Sequence, residues 1–447
     1  MVPVTGGSGT TTVGARSPIA LADLHDSLAD PVLDSMTFLN EIAGRFPDAV
    51  SFAAGRPYEE FFEVEAVHRY LRRYCDHLRD EHGLSEGQVN RTLLQYGRTK
   101  GIVHHLVATN LSVDEGIDVD PEAIVVTVGA QEAMFLVLRA LRSDPRDVLL
   151  AVSPNYVGIR GAASLVDMTT LPVRDGSRGI DLVDLARVVR SARAAGQRPR
   201  ALYLVPDFAN PAGASLDRDT RLALLRAASE HDLLILEDNP YGLFHAGGDR
   251  PATLKAMDDE GRVVYLGSFA KTGMPGARVG YVVADQPVAG PAGIGLLADE
   301  LSKIKSMVTV NTSPLAQAVI AGKLLEHGCS LVRANEREAG AYRRNLRHVL
   351  DGLAARFPKT GPEGDRVSWN TPAGGFFLVV TVPFVVDDAL LERSARDFGV
   401  LWTPMHHFYA DEGGRHQLRL SVSLLQPPQI EQGLDRLAAL IREMRPV

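Results

Sequence analysis

From Ala123 onward the chain alternates between two hydrophobic periodicities. Short β-branched runs, apolar on both faces, predict strands at AIVVTV (123–128), DVLLAVS (147–153), ALYLVP (201–206), DLLILED (232–238), RVVYLGS (262–268) and RVGYVVA (278–284). Between them the helical period predicts helices over about 131–142, 181–195 and 217–231. A strand apolar on both faces needs cover on both faces. The alternation therefore predicts an α/β fold, a mostly parallel sheet flanked by helices.

After Pro314 the pattern changes. A long helical stretch near 331–357 precedes VSWN (367–370), GFFLVVTV (375–382), a helix near 386–398, VLWTP (400–404), HQLRLSVS (416–423) and a last helix over 428–443. This predicts a smaller α/β domain with a mostly antiparallel sheet. The expected division is a disordered Gly/Thr/Ser-rich tail over 1–17, a segment over 18–65 that joins the small domain, a large domain over 66–330 and the small domain over 331–447. No repeat of fixed period is evident.

The 447 residues carry 47 Lys+Arg against 55 Asp+Glu, a net charge of −8, with 45% apolar residues. Such a chain has ample length for a large core and too much apolar content for disorder. Mild acidity argues against nucleic acid or an anionic membrane as partner, since both call for a basic face. No apolar run reaches the ~18–20 residues that span a bilayer. The first residues lack the basic and apolar regions of a secretion signal. Two cysteines, Cys75 and Cys329, make no disulfide framework. A cytoplasmic location is expected.

In open α/β sheets, ligands sit at the carboxyl ends of the strands. There this chain places Gly129-Ala130-Gln131 at a helix start, Asn210 in PDFANP, Asp238 and Tyr241 in EDNPYG, and Ser268 and Lys271 in SFAKT, with Arg278 following in PGARVGY. A phosphate suits Ala130, Gln131, Ser268 and Arg278, because helix N-termini and guanidinium groups bind anions. A ring nitrogen that must stay protonated suits Asp238, a phenolic oxygen suits Asn210 and Tyr241, and an aldehyde suits Lys271. Pyridoxal 5'-phosphate carries all of these on one ring, and Tyr156 in SPNY is placed to stack on it.

The ordered set GAQEA, SPNY, PDFANP, EDNPYG, SFAKT and PGARVGY resembles the class I/II aminotransferases, pyridoxal-phosphate enzymes of fold type I. The resemblance implies that Lys271 carries the internal aldimine, Asp238 holds the pyridinium, Asn210 and Tyr241 bind the phenolic oxygen, and Tyr156 stacks. It further implies that Arg419 in QLRLSVS grips the substrate carboxylate. Gly55 and Arg56 in AAGRP lie over the substrate, and Tyr96 in LQYGRTKG reaches the cofactor phosphate of a neighbouring subunit, so a homodimer with shared sites is expected. By the same likeness, exchange of an amino group between an amino acid and a 2-oxo acid is expected, with Lys271 as the proton carrier. The stretches LNEIAGRFPDAVSFAAGRP, NRTLLQYGRTKG and WTPMHHFY resemble the (S)-3,5-dihydroxyphenylglycine transaminases of glycopeptide-antibiotic pathways. That likeness implies amination of 3,5-dihydroxyphenylglyoxylate or its 4-hydroxy analogue. In the loop over 400–414, His406 and His407 replace small residues and are expected to line the side-chain pocket as donors to phenolic hydroxyls.

Several other readings compete. A 2-aminoadipate, aromatic or valine–pyruvate aminotransferase would share every cofactor residue, and an amino-acid oxidase or cyclase would show oxygen consumption or a cyclic product instead of amino exchange. A transcription regulator built on such a domain would need a basic helix-turn-helix ahead of it, and the segment before Met36 is short and not basic. Ser268 to Lys271 also reads as S-x-x-K and Lys271-Thr272-Gly273 as K-T-G, but penicillin-binding enzymes keep these apart. No metal site is expected. His68, Cys75, His77 and His82 read as a solvated helix face, since on one continuous helix His68 and His82 would lie ~21 Å apart, and His406-His407 with Asp411 or Glu412 is a weak pattern.

Overall fold

The computed structural model describes residues 19–245, 250–291, 293–358 and 367–444. The expected tail over 1–17 lies outside the described residues. A seven-stranded sheet forms the centre, labelled in chain order β1 (Ile124–Thr127), β2 (Asp147–Ser153), β3 (Thr169–Arg174), β4 (Arg198–Leu204), β5 (Leu234–Asp238), β6 (Val263–Ser268) and β7 (Gly280–Val283). Their spatial order is β1-β7-β6-β5-β4-β2-β3. All pairings are parallel except those of β7, which runs antiparallel to both β1 and β6. Because β1 and β6 both oppose β7, they point the same way, and all six other strands end on one edge of the sheet. Arg278, just ahead of β7, reaches that edge from the opposite direction.

Six of the seven strands coincide with the predicted runs to within about three residues at their ends, the margin expected for boundaries. The seventh, β3, is an addition. Its sequence TTLPVR pairs on one side only, with β2, and is half exposed, so it lacks the apolar signature of the buried strands.

The small domain holds a four-stranded antiparallel sheet in the order Ser368–Trp369, Phe377–Thr381, Gln417–Ser421, Thr403–Pro404. Here two expected single elements divide. The helical stretch near 331–357 breaks at Asn335 into Leu331–Ala334 and Glu336–Arg356. VLWTP splits around the buried Trp402: Val400–Leu401 pairs in parallel with Val50–Ser51, while Thr403 pairs with Arg419. The chain then continues along the small sheet, since Ser421 donates its N–H to Phe52 O at 2.7 Å. This stitching lays the segment from Ala53 to Arg56 across the carboxyl edge of the large sheet.

The cores are separate. Phe52, Leu353, Val380, Trp402, Leu420 and Ile441 belong to one cluster, while the large sheet is packed on its faces by others containing Leu136, Leu236, Val264 and Leu202, Ile235. No helix among the described residues is long and apolar enough to cross a membrane.

Candidate active site

A cavity of ≈ 230 Å³ opens at the carboxyl edge of the large sheet, against the small domain. Its walls bring together Gly55, Arg56, Ala130, Gln131, Tyr156, Asn210, Asp238, Tyr241, Ser268, Lys271, Arg278 and Arg419. These twelve positions are spread over most of the chain, and the topology accounts for their meeting: most end or follow a strand at the same edge, Arg278 enters that edge ahead of β7, Gly55 and Arg56 lie on the segment stitched across it, and Arg419 comes from the small sheet.

Asp238, the last residue of β5, is 3% exposed, and its Oδ2 accepts a hydrogen bond from Tyr203 on β4 at 2.6 Å. Its Oδ1 has no hydrogen-bond partner among the described residues, and the residue lines the cavity. Burial pushes this carboxyl up to about 7, against the Tyr203 hydrogen bond and the Lys271 charge, which lower it. Lys271 follows β6, and its Nζ donates to Gly55 O at 2.8 Å. Burial, then the neighbouring Arg419, Arg278 and Arg56, bring the amine down to about 8, while Asp238 opposes them.

Gly129 opens the 13-residue helix Gly129–Leu141, whose first N–H groups have no partner within the helix. It adopts φ +72°, and a Cβ there would lie 2.4 Å from Arg278 Nη2. The glycine thus lets the guanidinium lie against the helix start and joins two anion-binding devices in one corner. Glu132, one turn along, accepts from Val128 N at 2.6 Å and from Lys305 Nζ at 2.8 Å, which anchors that corner from behind.

Arg419, at the centre of its strand, is 5% exposed. Its guanidinium donates to Asn210 Oδ1 at 2.5 Å, Ala53 O at 2.6 Å and Thr403 Oγ1 at 3.1 Å, while Nε has no partner among the described residues. The rings of Phe377 and Phe408 lie 4.3 and 5.0 Å from it. Buried without a carboxylate partner, it is lowered to about 10 by desolvation. Such a group is poised for an anion brought in from outside. Gly55 is tightly placed as well, for a Cβ there would meet Phe377 Cζ at 2.3 Å.

Three expected positions lie elsewhere. Tyr96 is 86% exposed in the single chain, on the loop after helix Glu86–Leu94. The placement of His406 and His407 in the substrate pocket is corrected: neither lines this cavity. His407 Nε2 lies 2.8 Å from Asp388 Oδ1 and its Nδ1 3.0 Å from Ser35 Oγ, so both ring nitrogens are engaged in holding helix Pro31–Arg45 to the small domain. His406 Nε2 sits 3.6 Å from the same carboxylate. The side chain of this loop that does reach the cavity is Phe408. Sequence reasoning also missed Met36, Met134 and Phe377 in the walls and Tyr203 behind Asp238. Tyr203 had one signal, a lone hydroxyl in the buried apolar half, Ala201–Leu204, of its strand. The other three look like ordinary core residues.

The arrangement matches one ligand chemistry: an anionic end at the Gly129 corner, a cationic N–H for the unpaired Asp238 oxygen, a carbonyl for Lys271 and a separate carboxylate for Arg419. The chain belongs to the class I and II aminotransferase family, which matches residues 78–437. It is a pyridoxal-phosphate-dependent aminotransferase, acting on an amino acid and a 2-oxo acid, and its residues fit that cofactor. Over 428 residues it is 57% identical to the (S)-3,5-dihydroxyphenylglycine transaminase of Amycolatopsis orientalis, covering 96% of both chains. Among solved structures it is similar to the Pyrococcus horikoshii kynurenine aminotransferase in complex with PMP, at 28% identity and a TM-score of 0.78, covering 92% of this chain and 95% of that one. It is also similar to the α-aminoadipate aminotransferase LysN of Thermus thermophilus, complexed with N-(5'-phosphopyridoxyl)-L-leucine, at 28% identity and a TM-score of 0.76, covering 95% and 99% of the chains.

Proposed function

We propose that this aminotransferase forms (S)-3,5-dihydroxyphenylglycine, or its 4-hydroxy analogue, from the corresponding arylglyoxylate, with a second amino acid as donor. The 57% identity over 96% of both chains to the Amycolatopsis enzyme carries this reading. The apolar Met36, Phe377 and Phe408 on the cavity wall support it, since they suit a flat aryl group better than an extended charged chain.

Pyridoxal phosphate, when bound, supplies a protonated ring that stabilises negative charge at the α-carbon of the amino acid. In our reading, Gly129, Ala130, Gln131, Ser268 and Arg278 hold its phosphate, and Asn210 and Tyr241 its phenolic oxygen. Tyr156 covers the ring face. Asp238 keeps a proton on the ring nitrogen, and Tyr203 orients that carboxylate. Lys271 would hold the cofactor through its amine, and that same amine, when free and neutral, would move the proton at the substrate α-carbon. An amine near 8 is neutral often enough at physiological pH to serve as that base. Arg419 binds the α-carboxylate through its guanidinium, whose Nε has no other partner among the described residues, with Gly55 and Arg56 above the substrate.

The chain is proposed to act as a homodimer in which the exposed Tyr96 reaches the phosphate of the partner's site. The division into a large domain over 66–330 and a small domain over 331–447 joined by residues 18–65 is likewise our reading, supported by the separate cores. Amino-acceptor profiling of the holoenzyme tests the substrate. We expect kcat/KM for 3,5-dihydroxyphenylglyoxylate or its 4-hydroxy analogue to exceed that for 2-oxoadipate and 2-oxoisovalerate by at least about tenfold, the discrimination one pocket contact supplies. Preference for an aliphatic 2-oxo acid would overturn it.

A further inference from the structure

Away from the cavity, three imidazoles from separate elements meet on the large domain. His77, in the last turn of helix Val64–Asp80, is 5% exposed. The helix stops at Asp80, and the turn that follows brings exposed His82 back, with its Nε2 3.2 Å from His77 Nε2. His105, the second residue of helix His104–Glu115, completes the group. Its Nε2 is buried and has no hydrogen-bond partner among the described residues. Ligand atoms of the three rings lie within 4.8 Å of one another. The rings are splayed, with His77 and His82 at 80° and His82 and His105 at 71°.

We propose that His77, His82 and His105 form a site for a divalent transition metal of the zinc type, with water in a fourth position. Imidazole nitrogens bind zinc at ~2.0–2.1 Å, which places neighbouring ligands of a tetrahedron about 3.3 Å apart. The His77–His82 separation of 3.2 Å already matches this, and the ligand atom of His105 lies within 4.8 Å of both. His77 Nδ1 lies 3.0 Å from Glu81 Oε2, a close charge contact rather than an aligned hydrogen bond. A carboxylate behind a histidine favours the tautomer with the proton on Nδ1, which frees the Nε2 lone pair for a metal. Exposed His82 gives the ion its way in.

A second trio, Asp388, His406 and His407, lacks these features. Its imidazoles lie nearly face to face, 4.2 Å apart and 34° from parallel, and both nitrogens of His407 are engaged.

The site also has a structural consequence. His82 and His105 stand at the two ends of the excursion that carries helix Glu86–Leu94 and Tyr96. A metal joining them closes that excursion at its base and reduces the freedom of the loop that presents Tyr96. This last step rests on the dimer reading; metal binding itself does not.

The test uses untagged holoenzyme, dialysed against a chelator and then equilibrated with zinc chloride, reading bound zinc per chain by elemental analysis. We expect one zinc per wild-type chain. His82→Ala, at an exposed position that spares the fold, and His105→Ala should each weaken binding at least tenfold, while His406→Ala leaves it unchanged. Failure of wild-type protein to retain zinc, or equal retention by both His82→Ala and His105→Ala, would overturn the proposal.

Discussion

Lys271 and Asp238 share one cavity and are displaced toward each other on the pH scale, the amine down to about 8 and the carboxyl up to about 7. Both shifts come first from burial, which disfavours either charge. For the amine the sign is direct: it is neutral, and nucleophilic, above its own value. In cofactor-free protein, labelling of Lys271 by an amine-directed reagent should therefore rise with pH around a midpoint near 8, well below the ordinary 10.5; a midpoint at the ordinary value would refute the burial argument. Lys271→Ala should also lack the near-visible absorbance of the wild-type holoenzyme, read on the purified protein. Arg419 differs in kind, because its partners are neutral oxygens and its Nε is unpaired. Removing one side of a buried charge pair costs about 2–5 kcal/mol. Arg419→Ala should then raise KM for the amino acid by roughly 30-fold or more while cofactor stays bound, and Arg419→Lys should recover only part, since an ammonium lacks the planar fork. Unchanged KM in Arg419→Ala would remove the carboxylate role.

Among the elements, the start of helix Gly129–Leu141 is constrained twice, by its left-handed backbone and by Arg278. Gly129→Ala forces a side chain into left-handed backbone, at about 1–2 kcal/mol, and into the space of Arg278. The expected outcome is a lower Tm together with faster loss of cofactor in dialysis; loss of stability alone would mean that Arg278 does not hold the phosphate. This element and the five buried strands after it were legible in the sequence because their constraint is local. Burial on two faces writes continuous apolar runs, and a strand end followed by Gly, Asn-Pro or Ser-x-x-Lys marks the functional edge. Elements constrained by distant partners left no such mark. The edge strand β3 is half exposed and carries a proline. His406 and His407 lie beside a cavity-lining phenylalanine in sequence, yet a short 3-10 turn over Met405–Phe408 sends Phe408 inward and His407 toward Asp388 and Ser35. Likewise, the break after Asp80 that returns His82 to His77 depends on a turn, and its third partner comes from another helix.

On the scale of the whole molecule, a chain of net charge −8 concentrates Lys271, Arg278, Arg419 and Arg56 around a cavity with one buried carboxylate, Asp238. Such a focused positive field suits a ligand set of one phosphate and one carboxylate, and it draws both in against the overall acidity. In the single chain that cluster lacks Tyr96, which stands exposed on the large domain. In the proposed dimer, two-fold symmetry makes each site a composite of Lys271 from one protomer and Tyr96 from its partner. The consequence is separable from any effect on folding. Tyr96→Phe should weaken cofactor retention, while Lys271→Ala abolishes turnover in its own site. When the two variants are unfolded together and refolded, half of the dimers are mixed and each holds one intact site. At limiting cofactor the mixture should then regain about a quarter of wild-type turnover per chain pair, more than the average of the two variants refolded apart. Turnover equal to that average would place Tyr96 and Lys271 in the same protomer's site, or leave Tyr96 outside the site altogether.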